Sequence, residues 1–172
     1  MPDASSQWAF LHPATPWFGA AATVVALDQL VKWAVLGYFA GRHPVEPVTS
    51  FFNLVLACNK GAAFSFLAGA PGWQTPLFTA FALVASAVVG VLIVRNAGKR
   101  LLCAGLALIL GGALGNVVDR LRFGCVVDFL DFHTVALHWP AFNVADSAIT
   151  LGAVALILDS LLHRESGNAR HA

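Results

Sequence analysis

Four stretches of the chain are nearly unbroken runs of apolar residues: Trp17 to Phe39, Leu77 to Val94, Leu101 to Val118 and Val144 to Leu162. Each approaches the roughly 20 residues that a helix needs to cross the hydrocarbon core of a bilayer. Backbone polar groups cannot stay unpaired in lipid, so each run is expected to be an α-helix. The second and third runs are uncharged, the first carries Asp28 and Lys32, and the fourth carries Asp146 and Asp159. Residues 95–100 form a tight basic turn with Arg95, Lys99 and Arg100, whereas residues 40–76 and 119–143 form long links. In the first link, Val45 to Phe52 and Asn53 to Ala57 are rich in Val, Phe and Leu between turn residues, a pattern that predicts strands. The expected fold is an all-α integral membrane protein. Four transmembrane helices carry a small extracytoplasmic β-rich element between spans 1 and 2, all within one domain over residues 1–172.

Composition agrees with a bilayer as solvent. Of the 172 residues, 58% are hydrophobic and only 11% charged, too few charges for a soluble domain of this length. A net charge of +1 gives no electrostatic case for nucleic acid. Met1 to Pro16 contains no Lys or Arg, so the first run is read as a retained span and not as a cleavable signal. An even number of spans puts both termini on one side. The basic turn then lies with Arg164 and Arg170, and the positive-inside rule makes that side cytoplasmic, five Lys/Arg against four (Arg42, Lys60, Arg120 and Arg122). Tyr38, Phe39, Trp73 and Trp139 fall near the opposite interface, as an aromatic belt does. Cys58, Cys103 and Cys125 are odd in number and at no motif spacing, so they read as small apolar residues with neither a disulfide framework nor a zinc site.

A charged side chain costs about 2.5–3.5 kcal/mol or more at the bilayer centre, so the intramembrane ones need partners or a function. Asp28 and Lys32, four apart on one helix, face the same way and are expected to pair and dock the first span. Asn116 and Asp119 end the third span, Asn143 and Asp146 open the fourth at the same depth, and Asp128 and Asn59 lie in the two links on that side. Asp159 lies roughly 20 Å further along the fourth helix and cannot join them. Gly111 and Gly115 make a small-xxx-small face that lets helices approach closely.

Several of these stretches resemble one family: Asp28-Gln29-x-x-Lys32, Asn59-x-Gly61-Ala62-Ala63-Phe64-Ser65, and Gly111-Gly112-Ala113-x-Gly115-Asn116-x-x-Asp119-Arg120. Gly124, Val126-Val127-Asp128-Phe129 and Phe142-Asn143-x-Ala145-Asp146-Ser147 complete the set. In this order, with four spans, they resemble the bacterial lipoprotein signal peptidases (signal peptidase II). The resemblance implies a membrane aspartic endopeptidase of the bacterial inner membrane with its site near the periplasmic face. Such an enzyme cuts prolipoproteins on the amino side of a lipid-modified, diacylglyceryl cysteine. It implies Asp128 and Asp146 as the catalytic pair, Asn59, Asn116, Arg120 and Asn143 as substrate contacts, and Asp28, Lys32 and Asp119 as structural support. Its partners are prolipoproteins and membrane lipid, with no metal or other cofactor, and a monomer is adequate for the mechanism.

Each assignment has a plainer alternative. Asp146 also fits a helix N-terminal cap, and Asp128 and its neighbour Asp131 also fit loop or surface acids. Asp128, Asp146, His133 and His138 are all of metal-ligating type, but no H-E-x-x-H pattern supports a metal site. Ser65 and Ser147 have no histidine near in sequence and read as capping or packing residues. A small ion-coupled transporter is the rival function, since intramembrane acids and lysines mark ion paths. The crowding of polar groups at one interface argues against it.

Overall fold

The computed structural model describes residues 12–61 and 72–168. A 3-10 turn, His12–Ala14, leads into α1 (Thr15–Phe39), whose Pro16 sits in the first turn where no backbone donor is needed. Three more helices follow: α2 (Gln74–Arg95), α3 (Arg100–Phe123) and α4 (Val144–Asn168). All four are long and apolar enough to cross a membrane. Large apolar side chains such as Trp33, Phe81, Val84, Leu151 and Ile157 point outward from them, a surface that lipid and not water can cover. Residues 62–71, with the matched stretch Ala62 to Ser65, lie outside the described residues.

α3 is the central helix and packs against α1, α2 and α4. Glycines permit this. A Cβ on Gly111 would lie 2.6 Å from the Ala21 carbonyl oxygen of α1, and one on Gly115 would lie 2.8 Å from Asp28 Oδ2. Gly112, not singled out in the sequence, meets the Ala145 carbonyl of α4. The Gly111/Gly115 face thus seats α1, while the adjacent glycine seats α4.

α3 runs past the expected end at Val118, because hydropathy reports depth in lipid and not where a helix stops. The polar residues Asp119, Arg120 and Arg122 continue it to Gly124, whose φ of 72° takes the left-handed conformation that ends many helices. Trp17 Nε1 donates to the Ala97 carbonyl at 3.2 Å, so the start of α1 lies beside the basic turn, at the end of the bundle away from Asn116 and Asp119.

The sheet has three antiparallel strands in the order β1 (Val45–Pro47), β2 (Phe52–Asn59) and β3 (Val126–Phe132). The first two come from the predicted β-rich link. The third comes from the second link, so the sheet joins both. Its β2–β3 register runs from Phe52↔Phe132 to Asn59↔Val126, with a bulge between Leu54 and Ala57. Phe142 then bridges Leu130 and delivers the chain to α4.

Three expectations need correction. Cys58 and Cys125 form a disulfide, with Cα atoms 5.5 Å apart and 67 residues between them in sequence. Antiparallel pairing of β2 with β3 brings them together, which no spacing rule reveals; among the described residues only Cys103 is a free, buried thiol. Asp131 is not a surface acid: it lies on β3, 4% exposed, and accepts a bond from Asn53 Nδ2 at 2.9 Å. Phe39 turns inward, 3% exposed, to pack with Val35 and Phe129, while Tyr38, Trp73 and Trp139 remain exposed as an interfacial belt would be.

Candidate active site

The polar residues placed at one depth by sequence meet at one end of the bundle. Their scaffold starts on α1. Lys32 is 2% exposed, and its ammonium has three N–H groups to satisfy. All three find acceptors: Asp28 Oδ2 at 2.8 Å, Asp119 Oδ2 at 2.7 Å and Asn116 Oδ1 at 3.1 Å. The Asp28–Lys32 pair forms as their helical spacing predicts, and Asp119 completes it. Gln29 ties the group further, donating to Asp119 Oδ1 at 2.8 Å and to the Gly115 carbonyl at 3.2 Å.

Each supporting carboxylate spends its remaining capacity on one backbone amide. Asp28 Oδ1 accepts from Ala145 N at 2.9 Å, the residue before Asp146. Asp119 Oδ2 accepts from Val127 N at 3.0 Å, the residue before Asp128. One buried ion cluster therefore fixes the backbone beneath both candidate catalytic acids, and Asp28 and Asp119 are both fully buried.

Asn143 and Asp146 form a reciprocal cap at the start of α4. Asp146 N donates to Asn143 Oδ1 at 2.9 Å, and Asn143 N donates to Asp146 Oδ2 at 3.3 Å. Asn143 holds the cap position itself and Asp146 is its first-turn partner, while Asp146 Oδ1 turns the other way and accepts from Asn116 Nδ2 at 2.8 Å. Asn143 Nδ2 donates to Asp128 Oδ1 at 2.7 Å. Asn143 therefore touches both acids and is their common brace.

Asp128 is 2% exposed on β3 and receives a second bond from Asn59 Nδ2 at 3.1 Å. Burial, then the negative charge of Asp146, pushes its carboxyl from the ordinary 3.8 to about 7, against the opposing pull of the bonds from Asn59 and Asn143 and the charge of Lys32. A carboxyl raised in this way is the kind that can hold a proton where an ordinary aspartate is ionised. Arg120 reaches the Gly61 carbonyl with Nη2 at 3.4 Å, while its buried Nε has no hydrogen-bond partner among the described residues. That leaves a guanidinium donor at the edge of the site.

All nine residues expected from the sequence gather here: Asp28, Lys32, Asn59, Asn116, Asp119, Arg120, Asp128, Asn143 and Asp146. The two loop histidines do not. His138 Nε2 lies 2.6 Å from Asp131 Oδ1, and His133 stacks on His138, so both belong with Asp131 and not with Asp128 and Asp146. Gln29 and Gly112 lay inside matched stretches without an assigned role. Both act by long-range contact, and only a polar residue facing a helix interface could have marked Gln29.

A family model described as signal peptidase (SPase) II matches residues 20–162. A lipoprotein signal peptidase of Paraburkholderia phytofirmans is 60% identical over 146 residues, 85% of this chain and 84% of the relative. One of Ralstonia nicotianae is 56% identical over 150 residues, 87% of this chain and 86% of the relative. A solved bacterial membrane enzyme superposes with a TM-score of 0.74 at 27% identity, covering 89% of this chain and 91% of that one. With sequence match, helix arrangement and polar cluster in agreement, the chain belongs to the signal peptidase II family.

Proposed function

We propose that Asp128 and Asp146 are the catalytic pair with which this membrane protease removes signal peptides from prolipoproteins, cutting on the amino side of the diacylglyceryl cysteine. The observation that carries the assignment is the bracing of both acids by one asparagine, Asn143, at the end of the bundle where all the polar groups meet. The ionised member of the pair takes a proton from water, whose oxygen adds to the scissile carbonyl. The protonated member donates to that carbonyl oxygen, and a proton then passes to the departing amine as the C–N bond breaks. The pair shares its proton, so the two roles exchange within each turnover. Asn59, Asn116 and Asn143 hold the acids in place and offer polar edges to the peptide backbone. Arg120 supplies positive charge for the oxygen that becomes negative.

We place this end of the bundle at the outer face of the inner membrane, with both termini in the cytoplasm. The basic turn at the opposite end supports that orientation. So does the Cys58–Cys125 disulfide beside the site, because such bonds persist in oxidising compartments. At that depth the lipid of the substrate cysteine stays among acyl chains while the peptide bond reaches water. One domain working as a monomer suffices, since every group named comes from one chain.

The test is cleavage of a diacylglyceryl-modified prolipoprotein by the purified protein in lipid, with products identified by intact mass. A single cut before the lipidated cysteine, undiminished by EDTA, is expected. Cleavage elsewhere, equal cleavage of the unlipidated precursor, or abolition by chelator contradicts the reading.

A further inference from the structure

We propose that the Cys58–Cys125 disulfide is a positioning element of this site: it holds the Asn59 amide against the Asp128 carboxylate, and its reduction slows catalysis without unfolding the protein. The proposal rests on the reading of Asp128 as catalytic. The bond lies at the end of the β2–β3 ladder that carries Asn59 and Asp128. Cys58 is the penultimate residue of β2, and Cys125 lies between Gly124, which stops α3, and Val126, which opens β3. Asn59↔Val126 is the last pair of the ladder. The bulge between Leu54 and Ala57 interrupts the ladder on the other side. Only Ala57↔Asp128, Cys58↔Val127 and Asn59↔Val126 therefore tie this end of β2 to β3. Terminal pairs of that kind open most readily.

The site nonetheless depends on the turn that starts there. Asn59 donates to Asp128 Oδ2 at 3.1 Å and accepts from Gly61 N at 3.0 Å, and the Gly61 carbonyl accepts from Arg120. Residues 59–61 thus link the acid on β3 to the cation on α3. A covalent bond one residue before Asn59 suppresses fraying at that point. The Asn59 bond also pulls the Asp128 carboxyl downward, so its loss lets that group rise above about 7. Cys58 is an exposed residue, so a soluble dithiol is expected to reach its side of the bond. The dithiol attacks that sulfur, the S–S bond breaks, and the second thiol closes a cyclic disulfide, leaving two thiols on the protein.

The experiment compares the intact oxidised protein, the same protein reduced with dithiothreitol, and Cys58→Ser/Cys125→Ser. Each is made with Asn59 present and in an Asn59→Ala background, with Asp128→Asn as control. One titratable thiol per unfolded, unreduced chain is expected, from Cys103. Reduction should lower kcat about ten-fold with a smaller change in KM, a loss in keeping with modest misplacement of a site group. It should also move the pH–rate profile to higher pH, and cause no further loss in Asn59→Ala, because contacts acting through one residue are not additive. Three thiols in the unreduced chain overturn the proposal. So do an unchanged kcat and profile after reduction, or an equal fold-loss in both backgrounds. If the serine variant does not fold, reduced wild type against reduced Asn59→Ala decides the same question. Activity in Asp128→Asn would instead overturn the catalytic reading; a dead Asp128→Asn with an indifferent disulfide overturns only the positioning role.

Discussion

Asp128, the proposed catalytic acid, takes its acidity from where it is held. Its carboxyl, pushed to about 7, is favoured in its neutral form by the fold. A raised folded pKa gives stability that is fully present below the ordinary 3.8 and is lost as pH rises through about 7. Asp128→Asn should therefore raise the melting temperature at pH 8 by roughly 5 °C and change it little at pH 4, as followed by circular dichroism in detergent. A larger gain at pH 4 than at pH 8 would contradict the burial argument. The alkaline limb of wild-type cleavage should fall as the pair loses its last proton, above about pH 7. Lys32 carries a different weight. Replacing it with Met leaves Asp28 and Asp119 buried without their cation, which should cost about 3–5 kcal/mol. Thermal unfolding of Lys32→Met against wild type checks this, and near-wild-type stability would show that the ion cluster is dispensable.

Among the elements, α3 determines how the site is assembled, since it packs on the other three helices and bears Asn116, Asp119 and Arg120 at one end. Gly112 sets its distance from α4. A side chain there drives into the Ala145 carbonyl, one residue from Asp146, and backbone cannot yield as a flexible side chain can. Gly112→Val should cost about 1–3 kcal/mol through overpacking. Its cleavage rate should fall roughly 100-fold through misplacement of Asp146, measured on protein that still purifies as a folded species. A folded Gly112→Val with full activity would mean that α4 can shift without disturbing the acids. The elements also show what is legible in a sequence. The four helices follow from hydropathy because lipid imposes a length and forbids charge. The strands of the first link follow from Val, Phe and Leu between turn residues. β3 does not show as a strand in the sequence, because its neighbours are 67 to 80 residues away and its Asp128 and Asp131 break the apolar pattern. The disulfide escaped for the same reason, being a consequence of pairing between distant strands. That the nine candidate residues lie together is legible from motif order and depth, whereas the contacts of Gln29 and the pairing of His138 with Asp131 are facts of side-chain direction.

On the scale of the whole molecule, the protein separates two kinds of acid by depth. The cluster of Asp28, Asp119, Asp128 and Asp146 lies at one end, and Asp159 lies 13 residues along α4, roughly 20 Å away. Asp159→Asn should keep cleavage within about two-fold of wild type, whereas complete loss in a well-folded variant would contradict the depth assignment. Among the described residues the ion cluster and the two acids lie together at one end of the bundle, unlike polar groups strung along an ion path. Of all measurements, the most direct is the cleavage rate of Asp128→Asn and Asp146→Asn on a diacylglyceryl-modified prolipoprotein in lipid, with insertion of each variant verified. Each substitution keeps the size of the side chain and removes its proton chemistry, so each is expected to lower kcat by about 10⁴-fold or more, with the double variant scarcely worse than either. Robust turnover by either single variant would show that the two acids do not act as one catalytic unit.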